Sequence, residues 1–261
     1  MVLLLLEHIV QLFLCLVLGW VLIRVGLLKP TDSRVLSVVC LYLVIPCIIV
    51  GAFQIDSTPE LLQGLALSLG TAIGIHVLFF VFTALLRRPL HLTPVEQASV
   101  IYSNCGNLII PLVTAILGPQ WVVFSSMYQL VQQFPLWSHC RILLSGDRTI
   151  SLKKIFLNVN ILSVFAGVLL FALNISLPAV IEGTMDSMAA MVGPMSMIVA
   201  GMLMGDQDIL AVLRIRSIWK VAFLRLIAAP LIVLCILKFS GLAALAPDGE
   251  SILLIILLAA S

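Results

Sequence analysis

Charge is what this sequence has least of. Only 10% of its 261 residues are Asp, Glu, Lys or Arg, while 62% are hydrophobic; a soluble globular domain carries about 25% charged residues. With a mean hydropathy of +1.24, too few polar side chains remain to cover a water-facing surface, and lipid is the natural solvent. The net charge is only +2, with no long run of Lys or Arg, so the footprint of a nucleic-acid binder is missing. Catalytic signatures are missing as well. The chain has no G-x-x-x-x-G-K-[ST] loop for ATP, no H-E-x-x-H and no G-x-S-x-G. Its four histidines are scattered, and its six cysteines sit in or beside apolar runs without a C-x-x-C pair, as small hydrophobes do. An enzyme, a resident metal and a cofactor are therefore not expected. The N-terminus has no basic residue ahead of its apolar stretch, unlike a secretory signal, and reads as a first transmembrane helix that is retained.

What the sequence has in quantity is apolar runs of spanning length. A span needs roughly 20 mainly apolar residues, and eight candidates occur, at 3–23, 36–53, 61–86, 96–117, 121–144, 155–177, 187–204 and 217–239. A ninth run occupies 251–260. Twelve of the 14 basic residues fall at the odd-numbered breaks: Arg24, Lys29 and Arg34; Arg87 and Arg88; Arg141, Arg148, Lys153 and Lys154; Arg214, Arg216 and Lys220. Because cytoplasmic connections carry the Lys and Arg excess, the expected topology is a multi-pass chain in the cell (inner or plasma) membrane with its N-terminus extracytoplasmic.

The halves show weak internal symmetry. Gly19 and Pro46 in the first half are 27 residues apart, as are Gly167 and Pro194 in the second, at an offset of 148 residues. Five spans separate the copies, so a repeat at this offset is inverted, an arrangement common among secondary transporters. The expected organisation is a first repeat of five helices at 1–144, a cytoplasmic linker at 145–154, and a second, incomplete repeat at 155–261. Two full repeats would need roughly 30 residues more than the sequence provides, and the last apolar run is too short to cross. A truncated product lacking the end of a ninth helix and a tenth is the resulting expectation.

The fourth span holds the densest set of polar and helix-weakening residues: Glu96, Gln97 and then YSNCGNLIIPL from Tyr102 to Leu112. Pro111 has no amide proton and should free a carbonyl about one turn back, near Asn107, while Gly106 loosens the same stretch. A broken helix exposes backbone donors and acceptors that only protein or a water-filled cavity can satisfy, and Asn104 and Asn107 add amides that both donate and accept. A ligand site and a proline kink with two helix-bridging asparagines are both consistent with this pattern.

Gly19 with RVGLL, LYLVIPCIIVGAF, NCGNLIIPL and LNVNILSVFAGVLLFALNISLP together resemble the auxin efflux carrier family, which includes bacterial malonate and malate permeases and belongs with the bile acid sodium symporters. The resemblance implies an all-α polytopic fold of five plus five inverted helices, with broken fourth and ninth helices crossing near the substrate. It places the crossover on Asn104, Gly106 and Pro111. Asn107 stands where the family more often has a bulky apolar residue.

Other polar groups support either reading. His76, in the middle of the third span, is a proton carrier or a buried histidine bonded to a neighbouring helix. Arg225 meets a substrate carboxylate or snorkels to the nearer surface. Gln129, Gln132 and Gln133 share a helical face and line a cavity or bridge helices. With Pro46 and Pro194, residues Gln129, Gln133 and Arg225 are expected to support the crossover. The expected function is secondary active transport of a small organic anion, a mono- or dicarboxylate, by alternating access. A passive channel or a membrane ligand sensor on the same fold is the alternative. The expected partners are the bilayer and the anion, with a homodimer allowed and the coupling ion, proton or sodium, open.

Overall fold

The computed structural model describes residues 2–55, 58–103, 105, 109–146 and 157–261. Asn104, Gly106 and Asn107 of the expected crossover, and most of the expected linker, lie outside them. The described residues are helical throughout, without a strand. In chain order the main helices are α1 (Val2–Arg24), α2 (Pro30–Ala52), α3 (Pro59–Leu86), α4 (Pro94–Ile101), α5 (Ile110–Ile116), α6 (Val122–Pro135), α7 (Val159–Ala172), α8 (Ala179–Met204), α9 (Arg216–Phe239) and α10 (Gly249–Ala260). Four of these, α2, α3, α8 and α9, are long and apolar enough to cross a membrane; Ile9–Arg24 of α1, α7 and α10 are shorter apolar helices. These helices fall where the expected spans lie, with one departure: the fourth candidate is divided between α4 and α5.

Local chemistry accounts for the helix starts. The Thr58 hydroxyl accepts from the Leu61 amide at the head of α3, ahead of Pro59 and Glu60. At the head of α4, Thr93 and Glu96 form a reciprocal capping box around Pro94. Both arrangements satisfy amides that a first turn leaves unpaired, and proline there sacrifices none. Prolines further in leave a different mark. A π turn at Cys40–Val44 precedes Pro46 in α2, and another at Leu224–Ala228 precedes Pro230 in α9. A proline inside a helix removes one ladder bond, and widening the preceding turn re-satisfies the carbonyls it frees.

The chain forms two compact units. The first gathers Met1–Asp56, Gly106–Val122 and Leu162–Arg214. Here α1 and α8 meet backbone to backbone: a β-carbon on Gly19 would overlap the Ile198 carbonyl, and one on Gly201 would overlap that of Leu16. Gly167 of α7 is pressed against the Phe53 ring in the same way. Only glycine permits these approaches, as at the small-residue contacts of membrane helices generally. The outer face of α1 is apolar and exposed, with Phe13, Leu14 and Leu18 each more than half accessible, as suits a lipid-facing surface.

The second unit gathers Ser57–Cys105, Val123–Ile161 and Ile215–Ser261. Its interior mixes fully buried apolar residues, among them Phe79, Ile255 and Ile256, with buried polar ones: His76, Glu96, Tyr128, Gln129, Gln132 and Arg225. Buried polar groups need partners, and most of these belong to the candidate site.

Candidate functional site

Helix α4 stops at Ile101, and Tyr102 turns extended, with φ −102° and ψ 132°. In an unbroken helix the Ser103 amide would donate to the carbonyl four residues back. Here it donates instead to the Gln132 side chain, Oε1, at 3.1 Å. The same amide group returns a bond from Nε2 to the Ser103 carbonyl at 2.7 Å and a longer one to the Cys105 sulfur. One glutamine on α6 thus does for Ser103 what a neighbouring turn of helix would have done. The Ser103 hydroxyl points to Oε1 and to the Ala259 carbonyl of α10, at 3.0 and 2.6 Å. Tyr102 is fixed separately: its hydroxyl donates to the Pro135 carbonyl at 2.9 Å and lies 2.9 Å from His139 Nδ1. A carbonyl can only accept, so the histidine nitrogen donates to the tyrosine oxygen.

Near the end of α4 the Val100 carbonyl takes a bond from Arg225 Nη1 at 2.9 Å. Arg225 sits on the π turn of α9, is 7% exposed, and stacks its guanidinium 5.2 Å from the centre of the Phe79 ring. It does not snorkel. A cation at the carbonyl end of a half-helix is also well placed against the helix dipole. At the other end of α4, Glu96 pairs with Lys220 at 2.6 Å and accepts from Ser217, while Lys220 also donates to the Leu90 carbonyl.

Several residues singled out in the sequence are placed by the structure. Pro111 lies in the first turn of α5, where its missing amide proton costs nothing; a departure from helix occurs at Tyr102 and Ser103, and the expected break near Asn107 lies outside the described residues. Gln129 is buried with Oε1 unpartnered, whereas Gln133 accepts from Trp137 on its own helix at 3.0 Å. Gln132, between them, is the one that reaches the break. Nδ1 of His76 donates to the Ala72 carbonyl at 2.8 Å, and its ring packs 4.7 Å from that of Tyr128. Pro46 and Pro194 belong to the other unit, where Pro194 lines a cavity of about 680 Å³ with Gln11, Cys47, Gln54, Thr114 and Glu182. Neither Ser103 nor Tyr128 stood out in the sequence. A signal for Gln132 was available, since it is the inward member of the glutamine stripe.

Described residues without a strand, four helices long and apolar enough to cross a membrane, and a helix end braced by polar side chains are the marks of a candidate polytopic membrane protein. Its residues 4–150 match the sequence model of a family described as Membrane transport protein. Since that match covers more than half of the 261 residues, the chain belongs to this family, the auxin efflux carrier family of integral membrane transporters. That places it among transporters and not among enzymes. No curated protein matches the chain.

Proposed function

We propose that this protein is a secondary transporter of small organic anions, mono- or dicarboxylates, working by alternating access around the interrupted end of α4. The observation that carries the reading is the helix end at Ile101, where Gln132 bonds the Ser103 amide and carbonyl and Arg225 donates to the Val100 carbonyl. Interrupted helices of this kind are where transporters place substrate, because half-helix ends present unspent backbone groups and dipoles inside the bundle.

Two further features support an inverted repeat with its halves at 1–144 and 155–261. The prolines that open α2 and α8, Pro30 and Pro178, stand at the same 148-residue offset as Gly19 with Gly167 and Pro46 with Pro194. The glycine contacts correspond as well: Gly19 packs on Ile198 and Gly167 on Phe53, and at this offset the α2 segment from Val50 to Phe53 corresponds to the α8 segment from Ile198 to Gly201.

The test is counterflow in liposomes. Uptake of labelled malonate or malate that accelerates when unlabelled carboxylate is trapped inside marks a carrier. Ionic conductance without such acceleration marks a channel instead, and binding without flux marks a sensor.

A further inference from the structure

Arg225 is a buried cation without an anion. Among the described residues no carboxylate pairs with it, and Glu96 is engaged by Lys220 and Ser217. Its position is deep: as the tenth residue of α9 it lies ~14 Å along the axis from Arg216 at 1.5 Å per residue. Cations at such depth are rare and costly unless they are paired. The Val100 carbonyl and the Phe79 ring occupy Nη1 and one face of the guanidinium, but Nη2 is buried with no hydrogen-bond partner.

The surroundings repeat the pattern. Tyr128 is fully buried, within electrostatic reach of Arg225, and its hydroxyl has at most the Ser103 side chain beside it among the described residues. His76, against the Tyr128 ring, spends Nδ1–H on Ala72, so Nε2 of the neutral ring is an acceptor, with only the Gln132 side chain beside it among the described residues. Polar groups from α3, α6 and α9 with bonding capacity to spare thus gather in one unit, beside the broken end of α4.

We propose that Arg225 Nη2 and the Tyr128 hydroxyl form a binding subsite for one carboxylate group, the anionic end of the transported solute. Water could satisfy the hydrogen bonds but not the charge. A carboxylate supplies both, accepting from the guanidinium and from the phenol in charge-assisted bonds. It also rests against a guanidinium that Val100 and Phe79 already hold in place, so little ordering remains to be done on binding. With a single cation present, the subsite takes one carboxylate and leaves the rest of the solute to other contacts. This assignment rests on the transport reading above and names the group that would recognise its substrate.

The test uses the full chain in lipid nanodiscs, with binding read as a thermal shift over a titration of sodium malonate or sodium benzoate, and dimethyl malonate and sodium chloride as controls. Counterflow of the same solutes is measured in parallel. The parent should be stabilised by the carboxylates and by neither control. Arg225→Lys, which keeps the charge but loses the planar fork, should weaken binding at least tenfold. Tyr128→Phe, which removes a single hydroxyl and keeps the buried ring, should weaken it about fivefold, the loss of about 1 kcal/mol for one hydrogen bond. Parent affinity in both variants, alongside parent counterflow of carboxylates, overturns the subsite and leaves the transport reading standing. A parent that neither binds nor exchanges any carboxylate overturns both.

Discussion

Replacing Gln132 with leucine tests whether the interruption in the fourth span is held open by one side chain. The substitution keeps the volume roughly constant but removes the bonds to the Ser103 amide, the Ser103 carbonyl and the Cys105 sulfur. Gln132 is 5% exposed, so solvent does not replace it. Each orphaned backbone group costs about 1–3 kcal/mol, and the Ser103 amide and carbonyl together come to ~2–6 kcal/mol. At 2–4 °C per kcal/mol for a chain of about this size, the midpoint of thermal unfolding should fall by ~6–12 °C for a mid-range loss of ~3 kcal/mol. Gln133→Leu is the matched control. It gives up a single bond to Trp137 within its own helix, worth a few tenths of a kcal/mol on an accessible surface. Static light scattering and circular dichroism in detergent read both melts. A Gln132→Leu protein melting within 2 °C of its Gln133→Leu counterpart would show that the break does not depend on this amide.

Further expectations concern other parts of the molecule. Gly201→Ala should destabilise by at least 1–3 kcal/mol, since its methyl group overlaps the Leu16 carbonyl and overpacked contacts cost that much. Gly74→Ala, in open space in the middle of α3, should stabilise by ~0.5–1 kcal/mol through the unfolded chain and helix propensity; matching melts for these two variants contradict the packing argument. A double-mutant cycle on Glu96→Gln and Lys220→Met should return a coupling of ~1–3 kcal/mol for this part-buried pair, and additive effects would show that the pair contributes no net stability. If the N-terminus is extracytoplasmic, cysteines introduced at Glu182 and Arg88 into a cysteine-free background should react oppositely with an impermeant thiol reagent on intact cells. Labelling at 88 but not at 182 inverts the topology.

Hydropathy reads the helices of this chain well because a 20-residue apolar run has few alternatives in lipid. The start of α4, expected at 96 and found at Pro94, is set by a local cap, Thr93, Pro94 and Glu96, whose chemistry is complete within four residues. The centre of the site was less accessible. Pro111 pointed to the span in which α4 ends at Ile101, while the place it indicated, near Asn107, lies outside the described residues. What ends α4 at Ile101 is a glutamine on another helix, 29 residues away from Ser103, and no local pattern encodes that partnership. Arg225 shows the same limit. Its sequence position allowed snorkelling, and only the fold supplies the Val100 carbonyl and the Phe79 ring that hold it inside.

The close contacts of Gly19 with Ile198 and of Gly201 with Leu16 have a mechanical consequence. Where side chains separate two helices, rotamer changes let one slide past the other by small steps. Where the backbones themselves touch, as at Ile198 and Leu16, no such compliant layer exists, and a shift of an ångström would drive carbonyl into carbon. The α1–α8 pair is therefore a single stiff strut, keyed at two points. Any rearrangement in this unit must carry both helices together and take up its bending at less tightly keyed joints, such as the turn at Ala190–Met191 within α8.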